Sequence, residues 1–130
     1  MYISTTKKVT VSVEPTYLSQ ESTPDQNIYV WAYKIRIENN GPDALQLKTR
    51  HWKITDAYGR VQEVHGSGVI GEQPVLKPGG SFEYTSGTPL STPNGIMTGT
   101  YAMQMTDGTM MDVAIPVFSL HTPEMAKRLN

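Results

Sequence analysis

Gly66, Gly68 and Gly71 stand in the spacing G-x-G-x-x-G within "VHGSGVIGEQPVLKPGG", residues 64–80. In the right frame this spacing cradles phosphate, because glycine lets backbone N–H groups approach an anion closely. A dinucleotide site needs a strand before the glycines and a helix opening at the third. Here Gly71 is followed by Glu72, Gln73 and Pro74, and Pro78 with Gly79 and Gly80 stops any helix within a turn. A P-loop needs Gly-Lys-Ser/Thr where this chain has Gly71-Glu72. A protein-kinase loop would need Val-Ala-Ile-Lys, His-Arg-Asp and Asp-Phe-Gly sequences, which are absent.

Two readings of the glycines remain. The loop 65–72 can form an anion nest of consecutive N–H groups, taking pyrophosphate, a nucleotide or a dinucleoside polyphosphate. Gly66, Ser67, Gly68 and Gly71 would be its backbone, with Arg50, Arg60 and His65 supplying charge and Lys77 and His51 within reach. Alternatively the glycines are bends or a bulge between strands.

Other chemistry is sparse. His51, His65 and His121 are the only imidazoles, and their spacing reads as isolated surface histidines. Ser67 lies in Gly-Ser-Gly rather than G-x-S-x-G, so no nucleophile elbow is available. Asp107 and Asp112 flank a hairpin turn, where Asp is common for turn reasons. The absence of cysteine removes thiol nucleophiles, disulfides and thiolate metal sites. No catalytic residue, metal ligand set or cofactor is read from the sequence.

The elements that would position these residues are strands. Val9, Val11 and Val13 alternate with polar residues, as do Tyr29, Trp31, Tyr33, Ile35 and Ile37, and then Trp52 and Ile54. Turn clusters separate the runs at Asn39-Asn40-Gly41-Pro42, Asp56-Ala57-Tyr58-Gly59 and Pro78-Gly79-Gly80. Asp107-Gly108 predicts a two-residue hairpin loop. The pattern predicts an all-β, fibronectin type III- or immunoglobulin-like antiparallel β-sandwich of about seven or eight strands. Tyr101, near the start of its strand, suits a tyrosine corner whose hydroxyl bonds to backbone at a turn. Residues 86–97, "SGTPLSTPNGIM", read as an ordered surface loop, and "TPEMAKRLN" as a C-terminal helix capped by Thr122. Met103 and Met105 share a face assigned to core, while Met110 and Met111 sit across the hairpin.

The 130 residues fit one domain, 1–130, and a net charge of −1 offers no basic footprint for nucleic acid. The first residues, "MYISTTKKVTVSVEP", lack the basic-then-apolar order expected of a signal peptide, and no window approaches about 18 uninterrupted apolar residues. A cytoplasmic protein without nucleic-acid or membrane partners is expected.

Three stretches, "RHWKITD", "VHGSGVIGEQPVLKPG" and "YTSGTPLSTPNGIMTGTY", resemble the bacterial ApaG family, also called CorD; the likeness runs from about Val9 to Leu120. The resemblance implies a fibronectin type III-like sandwich. It aligns the family's glycine motif with Gly66, Gly68 and Gly71, which has prompted a nucleotide or pyrophosphate proposal. It also implies an association with cobalt resistance and magnesium efflux. Similar domains occur beside an F-box and in a protein that binds a DNA polymerase subunit, which points to an interaction module.

The reading that follows is a non-enzymatic binding module for a partner protein or small acidic ligand, using loops and an exposed sheet edge that also permits a homodimer. The alternative is pyrophosphate or dinucleoside polyphosphate binding or hydrolysis at the glycine loop.

Overall fold

The computed structural model describes residues 1–124. Strands β1 (Tyr2–Thr6), β2 (Val9–Tyr17), β3 (Tyr29–Asn39) and β7 (Ser81–Leu90) form a four-stranded sheet in the order β1-β2-β3-β7. Strands β4 (Leu45–Asp56), β5 (Val61–Ser67), β6 (Val75–Leu76), β8 (Asn94–Met105) and β9 (Met110–His121) form the second sheet in the order β5-β4-β8-β9. Strand β6 joins β4 beyond the end of β5, through Leu45↔Leu76 and Gln46↔Val75. All pairings between named strands are antiparallel. The result is the expected sandwich. No helix among the described residues is long and apolar enough to cross a membrane.

Alternation decides what lies between the sheets. Val9, Val11, Val13, Trp31, Ile35 and Ile37 are buried from one sheet, and Leu47, Trp52, Met97, Tyr101, Met103, Phe118 and Leu120 from the other. Burying a side chain of this size contributes about 1.5–3 kcal/mol, so the strict alternation holds the register. Two strands switch parity midway. In β4, Leu45 and Leu47 face inward, and so do Trp52 and Ile54, because the register shifts by a bulge between Leu47 and Thr49. In β9 the shift falls between the pairs Met97↔Phe118 and Gly99↔Ile115, at Pro116, where an absent N–H is tolerated.

The structure corrects several expectations. Nine strands are present among the described residues; β1, rich in Ser and Thr, and the two-residue β6 carry too little apolar periodicity to be read as strands. Residues 86–97 are mostly strand, with only 91–93 between β7 and β8. Pro89 is tolerated because β7 is an edge strand, and Asn94-Gly95 simply pairs with β9. The Asp107-Gly108 loop has three residues rather than two. Met105 N–H donates to Thr109 O, Gly108 N–H donates to Met105 O, and only Gly108 has positive φ. Asp107 instead accepts the Thr109 N–H on its side chain. The C-terminal helix expected over 122–130 lies largely outside the described residues.

Tyr101 is a further correction. It is fully buried, and its hydroxyl bonds the Tyr84 hydroxyl across the sandwich rather than backbone at a turn.

One side of the sandwich is closed. Ser4 Oγ donates to Ala114 O at 2.9 Å, Ala114 N–H donates to Thr6 Oγ1 at 3.2 Å, and the Tyr2 and Ser119 hydroxyls lie 3.0 Å apart. These contacts pin β1 to β9. The opposite side ends in the edges of β5 and β7.

Candidate functional site

The β4–β5 hairpin positions nearly every residue singled out in the sequence. Its turn is closed by Asp56 N–H donating to Arg60 O at 3.0 Å and Gly59 N–H donating to Asp56 O at 3.1 Å. Asp56 Oδ1 also accepts the N–H groups of Tyr58 and Arg60. From this turn the register runs Lys53↔Glu63, His51↔His65, Arg50↔Gly66 and Thr49↔Ser67.

Hydrogen bonds at both ends identify which pairs carry the ladder. Asp56 bonds Arg60, and Gly68 N–H donates to Lys48 O at 2.8 Å. Antiparallel pairs alternate, so Ile54↔Gln62, Trp52↔Val64 and Arg50↔Gly66 are hydrogen-bonded pairs. His51↔His65 and Lys53↔Glu63 are the non-hydrogen-bonded pairs, in which side chains approach more closely. Val61, Glu63 and His65 therefore direct their backbone N–H and C=O groups away from β4, toward the open edge.

The glycine loop closes on itself through one backbone bridge. Val69 and Glu72 exchange both backbone hydrogen bonds, 2.8 and 2.9 Å, around Ile70 (φ 43°) and Gly71 (φ 78°). That is a tight two-residue turn with both central residues left-handed, the type I′ geometry in which glycine is favoured. Val69 is buried in the core. Gly68 has φ 63°, and a Cβ there would lie 2.2 Å from Glu72 O. Gly66 leaves room for Arg50: a Cβ on Gly66 would lie 2.7 Å from the guanidinium carbon. Arg50 Nη1 crosses it to donate to Ser67 O at 3.1 Å and Gly68 O at 2.8 Å.

The cations expected to converge do not. Arg50 shares the inward-facing side of β4 with Trp52 and Ile54 and is committed to loop carbonyls. His65 stands on the outward face. Arg60 sits at the far end of the hairpin, with Nε 2.6 Å from Asp56 Oδ2 and Nη2 donating to Ser91 Oγ at 3.0 Å. Lys77 lies in the turn beside Asn39, its carbonyl accepting the Gly80 N–H. The convergence of positive charge on which the anion reading depends is absent among the described residues. Ser67 shares the outward face with His65, and no hydrogen bond joins its hydroxyl to either hairpin imidazole.

Arg50 thus acts as a clamp, with a measurable consequence. Arg50→Met keeps the apolar stem but removes two charge-assisted bonds, and is expected to cost about 2 kcal/mol. Amide exchange should accelerate at Gly68 and Val69 while the β8–β9 ladder stays protected. Unchanged exchange in the loop would show that the guanidinium does not hold it.

The histidines are not isolated, contrary to the sequence expectation. His51 and His65 stack with ring centroids 4.0 Å apart and planes 9° from parallel. His51 Nε2 donates to Glu63 Oε1 at 3.0 Å. Only His121 stands apart, at the end of β9 opposite Asn94. The signal was present in the sequence: a hairpin centred on Tyr58 pairs residues whose numbers sum alike, which puts 51 opposite 65.

Comparison with known proteins agrees with this architecture. A family model described as the ApaG domain matches residues 19–105. Protein ApaG of Paramagnetospirillum magneticum is 58% identical over 130 residues, the full length of both chains, and that of Rhodospirillum centenum is 55% identical over the same span. A crystal structure of an ApaA protein from Bordetella pertussis superposes with a TM-score of 0.86 at 51% identity, covering 88% of this chain and 94% of that one. With the domain model, the full-length relatives and the superposed sandwich in agreement, this chain belongs to the ApaG family.

Proposed function

We propose that the chain is a non-enzymatic binding module that takes an extended segment of a partner protein along the free edge of β5. The observation that carries this reading is the state of that edge. Val61, Glu63 and His65 direct unpaired backbone groups outward, and six of the seven β5 residues, all but Val64, are polar, glycine or substantially exposed. The other edges are defended: β1 and β9 are tied to each other, and β7 carries Pro89. An undefended edge is a template for strand addition, with backbone bonds supplying affinity and alternate side chains supplying selectivity. The commitment of the Gly68, Val69 and Glu72 N–H groups and of Arg50 to backbone carbonyls supports this reading over phosphate chemistry. An association with ion efflux, as the family resemblance implies, would then reach a membrane through the partner.

Peptides selected from a displayed random library against the protein test this directly. Bound peptide should shift the amides of residues 61–67 and slow exchange at Val61, Glu63 and His65. Glu63→Pro removes an outward N–H and should abolish binding while sparing the fold. Val64→Pro interrupts the β4–β5 ladder and should cost at least about 2 kcal/mol. Peptides that map elsewhere, or turnover that purifies with the protein and is lost on mutating a loop residue, would overturn the proposal.

A further inference from the structure

The outward face of the β4–β5 hairpin gathers three side chains that neither the partner-binding reading nor the glycine loop uses. His51 and His65 face each other across a non-hydrogen-bonded pair, and Glu63 lies two residues from His65 on the same face of β5. One ligand atom from each lies within 4.8 Å of the others. The residue types are two imidazoles and one carboxylate, which suit zinc and neighbouring transition metals rather than magnesium or calcium.

We propose that His51, Glu63 and His65 form a binding site for a divalent transition-metal cation of the zinc class, with water completing the coordination.

The geometry requires little rearrangement on one side and a defined movement on the other. Two ligand atoms on a tetrahedral zinc, each about 2.0–2.1 Å from the metal, lie about 3.3 Å apart. His51 Nε2 and Glu63 Oε1 are 3.0 Å apart, so the cation takes the place of the proton between them. A neutral imidazole bound to metal through Nε2 carries its single proton on Nδ1, so the cation selects that tautomer of His51. His65 is stacked parallel to His51, so its lone pairs do not yet converge on that point. A side-chain rotation that breaks the stack brings it in, and its exposure leaves room for this. Lys53 is paired directly opposite Glu63 and is the nearest cationic residue in the register; it opposes a second positive charge. Three protein ligands on two strands of one rigid hairpin leave the site open, as in metal centres that keep a water or exchangeable ligand. The strands fix the Cα positions, so the cation would also brace β5 against β4.

Titration of the protein with zinc chloride alone, followed by calorimetry and by imidazole NMR resonances, tests the site. Saturable one-to-one binding is expected, with the His51 and His65 resonances shifting together, His121 unmoved, and reversal by a chelator. His51→Ala and His65→Ala should each weaken binding at least about tenfold, and Glu63→Gln somewhat less. His121→Ala should leave it intact, and magnesium chloride should give no saturable shift. All three proposed ligands are at the surface, and circular dichroism with thermal melting confirms that each variant folds. His51→Gln and His65→Asn serve as second variants. Absence of saturable zinc binding, binding that survives the His51→Ala/His65→Ala double variant, or shifts centred on His121 or the N-terminus would overturn the proposal.

Discussion

Gly68→Ala is expected to lower the unfolding free energy by about 3 kcal/mol or more, against about 1 kcal/mol for Gly71→Ala. Both glycines have positive φ, 63° and 78°, which penalises any L-residue by about 1–2 kcal/mol. They differ in their surroundings. Around Gly71 nothing lies within 4 Å of an added Cβ, whereas at Gly68 the Cβ would lie 2.2 Å from Glu72 O and 2.9 Å from its carbonyl carbon. Glu72 O already accepts the Val69 N–H, and Val69 is in the core. The alanine must therefore either break that bridge or withdraw a core residue. Urea unfolding of the two variants decides the matter. If Gly68→Ala unfolds within about 1 kcal/mol of the parent, the loop is not the rigid turn described above, and a ligand-driven reason for its glycines would have to be sought again.

The second large effect is expected in the buried tyrosine pair. Tyr84→Phe should cost about 1–3 kcal/mol, because it leaves the fully buried Tyr101 hydroxyl without its partner. Removing both hydroxyls should restore much of that loss, since no orphan remains, giving a coupling energy of about 1–2 kcal/mol in a double-mutant cycle. The pair also predicts a pH dependence. Burial is the main reason that both phenols are pushed above the ordinary tyrosine range; for Tyr101 the neighbouring Tyr84 adds to it, and Arg50 opposes it in both. Tyr33, which shares this side of the core, is raised as well, again mainly by burial. In the unfolded chain these groups ionise near pH 10, while the native state keeps its protons. Their contribution is therefore complete below about pH 10 and is lost as the pH climbs beyond it, by up to about 1.4 kcal/mol per pH unit for each group. The Tyr84→Phe/Tyr101→Phe variant should show a shallower alkaline decline than the parent. Identical slopes above pH 10 would mean that these hydroxyls ionise as readily in the folded protein.

Much of the molecule is legible in the sequence because two-residue alternation and turn chemistry are local properties. Val9, Val11 and Val13, then Trp31, Tyr33, Ile35 and Ile37, and Trp52 with Ile54 declare their buried faces before any pairing is known, and all are buried. The turn at 56–59 and the Asp107-Gly108 hairpin are likewise announced by residues that favour bends. The glycine motif could be tested against its templates in the same way, since a strand-to-helix frame is itself a local requirement.

Register, parity and side-chain company were decided only by the assembled sheets. A bulge moves one residue and reverses every face beyond it, so Lys48 and Pro116 redirect β4 and β9 without altering local propensity. Tyr101 finds Tyr84 rather than a turn because the partner comes from the opposing sheet. Arg50, Arg60 and His65 are close in sequence, yet one turns inward, one sits at the far end of the hairpin and one faces solvent. His51 and His65, fourteen positions apart, become stacked neighbours because the register sets them opposite each other, and hydrogen-bond alternation across the hairpin brings that pair closest. Strand period is a property of the chain, whereas which strand lies beside which, and in what register, is settled by burying both apolar faces at once.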